Sequence, residues 1–338
     1  MSESLVLGID LGGTNARAAA VNFSTGIEGE RFEVPSNAQK GTQAILEALT
    51  SVVTKVRSQS CLHVSKIGLS VPGHVDNRNG LVRWAPNFGE TRDGVFHYWK
   101  DVPLRDELSF RTGLDVVMGN DANCAALGEY IFGAGRSNAS CLVLLTVGTG
   151  IGGGVVLSPG SVEGEARGPL LLVGGNRGGA ELGHITVSRG GLDCNAGSYG
   201  ALEAYCQRDA IVRRAQHQLR RGTKSLVLDL VGADLSKVTP LILTEAADLG
   251  DALAIDVWRE IGTYLGTGIG SLINVFSPDL FAIGGQIAKA GKWLVAPAIE
   301  EAQRIAIPTL FADCRICLAE VLDDAGLLGA AALARQTT

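Results

Sequence analysis

Hydrophobic positions along the chain fall into short apolar runs, cut by glycine-rich breaks, and into a few longer stretches with helical spacing. The first run predicts a strand at Leu5–Asp10, a turn over Leu11–Asn15, a second strand at Ala16–Asn22 and a third ending near Val34. Ile45, Leu46, Leu49, Val52, Val53 and Val56 then recur on one face, which predicts a helix. A strand at Lys66–Val71 stops at Pro72-Gly73, and an irregular region runs on to about Lys100. A helix near Leu104–Arg111 and a strand at Leu114–Met118 follow.

A similar order recurs. Leu142–Val147 predicts a strand, Gly148–Gly154 a glycine-rich turn, Val155–Leu157 the returning strand and His184–Ser188 a third. Helical patterns fill Tyr199–Arg221, Thr239–Leu249 and Ala252–Phe276, and a strand at Leu280–Ile283 ends in Gly284-Gly285. After about Ala325 a further helix is expected to return against the first domain. No sequence identity links the halves, so the duplication is one of topology. Strand-led halves with helices between them place the chain in the α/β class. Two such halves, each with a glycine-rich hairpin, predict a cleft with two phosphate-gripping turns.

Composition sharpens this picture. With 338 residues and 46% hydrophobic positions, the chain can fill two cores. Its 45 glycines far exceed the roughly 7% of average usage, yet only 10 prolines accompany them, so the excess is no linker bias. A net charge of −6 without a Lys/Arg run argues against nucleic acid as a partner; Arg213-Arg214 and Arg220-Arg221 read as a solvated helix face. The start, MSESLVLGID, lacks the features of a signal peptide. The uncharged stretches Cys141–Ser161 and Ile261–Pro278 are broken by glycines or polar residues, so no membrane span is expected. Seven cysteines, an odd number at irregular spacing, point to free thiols in a reducing, cytoplasmic setting. The lone CxxC at Cys314 and Cys317 lies in an alternating apolar run and reads as strand packing.

Candidate chemistry starts at Asp10-Leu-Gly12-Gly13-Thr14-Asn15-Ala-Arg17, between two strands. Gly12 and Gly13 leave backbone N–H groups bare for an anion, and Thr14 and Asn15 add side-chain donors. Asp10 is placed to hold hydrated Mg²⁺ beside phosphates; a tight hairpin with an incidental Asp is the alternative. The second turn, Thr146-Val-Gly148-Thr149-Gly150-Ile-Gly152-Gly153-Gly154, contains a formal GxGxxG. A Rossmann turn opens a helix, whereas Val155-Val156-Leu157 continues as strand, and no Walker A sequence is present. Gly284-Gly285 reads either as an ordinary strand-to-helix turn or as a flat wall against adenine.

Asn120-Asp121-Ala-Asn123 lies where a strand runs into a helix. Asp121 is open to two readings, an N-cap or a base that accepts a hydroxyl proton during in-line attack on phosphorus. Asn120 is open to the cap role as well. Asn87, Glu181, His184 and Glu203 supply further polar groups suited to a polyhydroxylated ligand.

In this order, DLGGTN, VPG, APN, NDAN, TVGTGIGGG, ELGH, CNAGSYGALE, IGG and the terminal DDAGLLGAA resemble the ROK family of sugar kinases and sugar-responsive repressors along essentially the whole chain. The resemblance implies the two-domain, actin-like (ribonuclease H-like) fold, ATP with Mg²⁺, a hexose substrate with glucose favoured, and a homodimer. It divides the chain into a small domain of residues 1–119 plus 325–338 and a large domain of 120–324. It implies Asp121 as base. Gly73, Asn87, Asn120, Asp121, Glu181, His184 and Glu203 become sugar contacts. Asp10, Gly12, Gly13, Thr14, Asn15, Arg17, Gly148, Thr149, Gly150, Gly284 and Gly285 become the ATP and phosphate set, with Asp10 holding Mg²⁺ through water.

Two departures stand out. Family members commonly carry CxCGxxGCxE, whose cysteines bind structural zinc with the His of ExGH. Here Ala196 and Ala201 replace two of the thiolates, leaving Cys194 and His184. Too few ligands remain for a closed four-ligand site, so no zinc site is expected. Extra sequence around 89–98 and 159–177 beside the pocket leaves the sugar open among glucose, mannose, fructose, allose and N-acetylhexosamines. Polyphosphate is the alternative donor, though no basic track supports it. The rival is a sugar-sensing repressor of the same family, which carries a helix-turn-helix domain ahead of a strand such as that starting at Leu5.

Overall fold

The structure, a computed structural model, describes residues 5–59, 63–163, 168–176, 178–194 and 196–337. In chain order the strands and helices are β1 (Leu5–Leu11), β2 (Asn15–Asn22), β3 (Gly26–Pro35), α1 (Gly41–Arg57), β4 (Val64–Val71), β5 (His74–Asp76), β6 (Leu81–Arg92) and β7 (Val95–Val102). Next come α2 (Leu104–Thr112), β8 (Asp115–Asn120), α3 (Asp121–Phe132), β9 (Cys141–Val147), β10 (Ile151–Leu157) and β11 (Leu170–Leu171). The helices α4 (Leu202–Cys206), α5 (Arg208–Arg220), α6 (Leu226–Leu230), α7 (Pro240–Asp248) and α8 (Ala252–Phe276) follow. The chain ends with β12 (Leu280–Gly284), α9 (Lys292–Ile305), α10 (Pro308–Ala312), β13 (Arg315–Leu318) and α11 (Ala325–Gln336). It folds into two compact units. Met1–Ala139, Gly154–Ala180 and Glu320–Thr338 form the first; Ser140–Gly153 and Glu181–Ala319 form the second. The first unit thus takes in residues 120–139 and 154–180, which the sequence reading assigned to the larger domain.

The first unit is built on a five-stranded sheet in the order β3-β2-β1-β4-β8. β1 lies antiparallel to β2 and parallel to β4, which is parallel to β8. Alternation along β1 divides the strand between two cores. Leu7, Ile9 and Leu11 join the buried face of α1, with Ile45, Leu49 and Val52. Val6 faces the other way, with Leu327 and Leu328 of α11. On that second face the helix lies directly on the strands, because glycines meet it. A Cβ at Gly68 would come within 2.7 Å of the Ala331 nitrogen, and one at Gly8 within 3.1 Å of the Leu327 carbonyl carbon. Any side chain at either position would hold the helix off the sheet.

The same unit holds a three-stranded antiparallel sheet, β5-β6-β7, in the stretch the sequence pattern left irregular. β6 contains Pro86 and Gly89, and Asn87 has φ +64°. Its register with β7 shifts between Trp84 and Gly89. Those interruptions erase the period-2 signal that reveals a strand. Phe88 and Trp99 nevertheless bury one face against the main core.

In the second unit β12 lies between β9 and β13 and parallel to both. The long helix α8 starts at the Asp251 cap, whose carboxylate accepts the Ala254 N–H, and stops at Ser277 in the left-handed region. Gly262 and Gly266 let α9 approach it: a Cβ at Gly262 would lie 2.8 Å from the Leu294 oxygen. β10 begins in this unit and ends in the first, where Val156 and Leu157 pair antiparallel with Leu171 and Leu170 of β11.

Several expected elements differ. Residues 182–184 form a 3-10 turn, not the start of a strand at His184–Ser188; of that span only Thr186 makes a bridge, to Ala201. Gly183 lies too close to Ile151 for a strand with side chains to pass there. The single helix expected over Tyr199–Arg221 is two, α4 and α5, broken at Gln207 in extended conformation (φ −68°, ψ 158°). β10 starts at Ile151, inside the expected turn. Cys314 and Cys317 flank and occupy β13, in keeping with strand packing. α11 is the expected terminal helix. Part of the extra sequence at 159–177 lies outside the described residues.

Candidate functional site

In the first unit the three parallel strands end together. The register pairs Asp10 with Ser70 and Val71 with Asn120, so the carboxyl ends of β1, β4 and β8 carry the candidate groups side by side. In open α/β sheets ligands bind at such an edge. Ser70, which the sequence reading missed, donates its Oγ–H to Asp10 Oδ1 at 2.8 Å. Its signal was its register position opposite Asp10. Burial holds the Asp10 carboxyl above its ordinary 3.8, against the lowering by Ser70 and Arg17. Gly326, in the first turn of α11, closes the back of this carboxylate, since a Cβ there would sit 2.7 Å from Asp10 Oδ1.

The turn after Asp10 is tight: the Gly12 N–H donates to the Asn15 carbonyl at 2.9 Å. Nothing lies within 4 Å of the place a Cβ would take on Gly13, so the turn presents open space there. The side chains of Asn15 and Arg17, expected on phosphates, both donate to Glu33 of β3, Arg17 Nε at 3.1 Å. The Thr14 carbonyl accepts from the Ser36 N–H at 2.8 Å, which fixes the turn to the end of β3.

At the end of β8 the two readings of Asn120 and Asp121 separate. Asn120 is the N-cap: its Oδ1 accepts the Asn123 N–H at 3.1 Å. Its Nδ2 donates to the Gly73 carbonyl and to Asp121 Oδ1, both at 3.0 Å. Asp121 therefore stands in the first turn of α3, with Oδ1 also accepting the Ala122 N–H at 2.9 Å. Gly73 has φ +90°, and a Cβ there would meet Ala85 Cα at 2.7 Å, so this glycine lets the strand carrying Asn87 pass beside Asn120. Asn87 is exposed and in the left-handed region.

In the second unit the turn after β9 closes through the Gly148 N–H and the Gly150 carbonyl, 2.9 Å apart. The Arg208 N–H, at the start of α5, donates to the Gly148 carbonyl at 2.9 Å. Gly284 pairs with Thr146 at the same strand edge, and Gly285 has φ +85° with Val147 too close to admit a Cβ. The two glycine elements expected on nucleotide, Gly148–Gly150 and Gly284-Gly285, are thus neighbours.

Glu203, expected on the sugar, supports the glycine turn. Its Oε2 accepts the Ile151 N–H at 2.8 Å and lies 2.6 Å from where a Cβ on Gly150 would be, directly under the turn. The other oxygen faces Cys194 Sγ at 3.9 Å, and that sulfur is 3.6 Å from His184 Nδ1. Glu181 is exposed, and its carbonyl accepts the His184 N–H at 3.1 Å. His184, Cys194 and Glu203 bring donor atoms within 4.8 Å of one another. The sequence reading counted two zinc ligands here, and the geometry adds Glu203.

Comparison with known proteins settles the kinship. The sequence matches the ROK family over residues 6–337. The chain belongs to the ROK family. Glucokinase of Thermotoga maritima is 34% identical over 99% of both chains, and glucokinase of Halalkalibacterium halodurans 35% identical over 99% of this chain and 96% of that one. A ROK glucokinase from Streptomyces griseus, solved with glucose and AMPPNP, superposes with a TM-score of 0.80 at 32% identity, covering 98% of this chain and all of that one. The fold is accordingly the two-domain, actin-like one of ROK glucokinases.

Within this ROK chain the zinc question can be put to the donors themselves. A closed structural zinc takes four ligands. Among the described residues three are gathered, Ala196 and Ala201 contribute none, and one oxygen of Glu203 already accepts from the Ile151 amide. The set does not fit such a site. At Asp10 the donors do suit Mg²⁺: a desolvated carboxyl, held above its ordinary value, gains from a divalent cation beside it.

Proposed function

We propose that this ROK chain is a glucokinase-type sugar kinase that transfers the γ-phosphate of ATP to a hexose hydroxyl, with glucose as the favoured sugar and hexose 6-phosphate as product. Full-length kinship with glucokinases supports the activity. The observation that carries the assignment of the base is the division of labour at the end of β8. Asn120 caps the helix and donates to Asp121, so the carboxylate of Asp121 is oriented and not spent on capping.

In this reading the first unit supplies the acceptor chemistry. As the sugar oxygen bonds to phosphorus, its proton passes to Asp121 and the bond from phosphorus to the bridging oxygen breaks, leaving ADP. Gly73, Asn87 and Asn120 orient the sugar from this unit, and Gly12, Gly13 and Thr14 receive phosphate oxygens. Asn15 and Arg17 help chiefly by holding the turn to Glu33. From the second unit, Glu181, His184 and Glu203 hold sugar hydroxyls, Gly148–Gly150 takes phosphate, and Gly284-Gly285 lies against the base of the nucleotide. Bound Mg²⁺ would neutralise charge on the phosphates, with Asp10 as its holder through water. The proposal includes a homodimer and a cytoplasmic location, both carried by family resemblance, and no structural zinc. Among the described residues no helix is long and apolar enough to cross a membrane.

The test is Asp121→Asn in a coupled assay with ATP and glucose. Turnover should fall by about 10²–10⁴-fold, the range of a general base, while glucose affinity stays within a few-fold. Near-normal turnover would remove Asp121 from the role.

A further inference from the structure

Glu129 is a fully buried carboxylate that the reaction above does not use. It sits in the last turn of α3, where the negative end of the helix dipole disfavours an acidic side chain. What holds it there is a set of backbone donors. Oε1 accepts the Ala134 N–H at 2.8 Å and the Glu320 N–H at 2.7 Å, and Oε2 accepts the Val321 N–H at 3.0 Å. Gly133 makes the room, since a Cβ there would lie 2.5 Å from the carboxyl carbon. Glu320 is the residue at which the chain re-enters the first unit for the last time, and Ala134 lies shortly before the point at which it first leaves.

Elsewhere α3 is held by Asn120 at its start, which bonds the Gly73 carbonyl, and by the Tyr130 hydroxyl, which donates to the Ala139 carbonyl at 2.9 Å. It meets α11 backbone to backbone: a Cβ on Gly128 would be 3.0 Å from the Gly329 nitrogen, and one on Gly329 2.8 Å from the Gly128 nitrogen. At that contact the glycines fix the distance between the two helices, but with no side chain there to interdigitate they add little resistance to sliding. The directional bonds of Glu129 resist it. Asp121 stands at the other end of the same helix, eight residues earlier, or about 12 Å at 1.5 Å per residue.

We propose that Glu129 is a positioning residue for Asp121, setting where α3 stands along its axis and so where the carboxylate of its first turn lies. The inference rests on the reading of Asp121 as the base. Misplacing a reacting group by about 1 Å can cost about 10²-fold. Glu129→Gln places an NH2 against a backbone donor and breaks the set with little change in volume. Its kcat should fall about 10- to 100-fold, with the dissociation constant for AMPPNP changed by less than about twofold and that for glucose, which Asn120 at the start of the same helix also orients, by no more than about threefold. In an Asp121→Asn background the same change should cost nothing more, because no base is left to place.

Unchanged kcat in folded Glu129→Gln would overturn the proposal. So would a parallel loss of glucose affinity, or an equal further loss in the double variant, since each is what a merely structural role predicts. Full turnover in Asp121→Asn alone would remove the base reading, and this proposal with it; loss there with none in Glu129→Gln would remove this proposal only. Should Glu129→Gln not fold, amide exchange in the unaltered protein serves. The Ala134, Glu320 and Val321 amides should exchange as slowly as those of the sheet, and exchange at the rate of exposed loops would overturn the clamp.

Discussion

Replacing Gly329 by Ala probes the seam between α3 and α11. The added Cβ would lie 2.5 Å from the Cys124 carbonyl carbon and 2.8 Å from the Gly128 nitrogen, where ordinary contact starts near 3.4 Å. Both neighbours are backbone, so no side chain can swing aside, and the helices must part by nearly the whole difference. Overpacking of this kind costs about 1–3 kcal/mol, and backbone on both sides places Gly329→Ala at the upper end. At about 2–4 °C per kcal/mol for a unit of this size, the first unit's unfolding midpoint should drop by roughly 6–12 °C. Scanning calorimetry reads it directly. Gly13→Ala is the paired control: nothing lies within 4 Å of its Cβ and its φ is not in the left-handed region. Its midpoint should move by no more than about 0.5 kcal/mol's worth, while the KM for ATP rises because the methyl fills the space offered to phosphate. An unchanged midpoint in Gly329→Ala would refute the account of the seam.

Two further outcomes are expected. Asp76, bonded to Asn79 and to Arg83 at 2.9 Å, has its carboxyl lowered from 3.8 to about 2, chiefly by the Asn79 side chain. A lowered native value stabilises the fold above the unfolded value and is lost as pH falls from about 4 to about 2, so Asp76→Asn should flatten acid unfolding in that window, read by circular dichroism. Elemental analysis of the purified protein should find zinc far below one atom per chain; a stoichiometric amount would show that Cys194, His184 and Glu203 suffice.

Where local pattern dictated structure, the sequence was readable. Leu7, Ile9 and Leu11, and the stripe from Ile45 to Val56, need only alternation or helical spacing to be placed, and both lie in the core expected of them. The β5-β6-β7 sheet was hidden because Pro86, the positive φ of Asn87 and the register shift before Gly89 break its alternation. The halves α4 and α5 merged because Gln207, at the break, is neither Gly nor Pro. At the site, the motifs located the residues but not their bonds. That Asn120 caps and Asp121 does not is decided between two neighbouring side chains that are both able to cap, and that Glu203 underpins the Gly148–Gly150 turn depends on its reaching a backbone amide 52 residues away. The same holds for Glu129, whose donors at 320 and 321 come from the far end of the sequence.

The position of α11 also bears on how the protein is made. One face of β1 and β4 stays bare until a helix encoded after the entire second unit has left the ribosome. The amino-terminal sheet therefore emerges first yet is finished last, and during synthesis Val6, Ala19 and Val21 wait uncovered, a state in which chaperones or premature aggregation act.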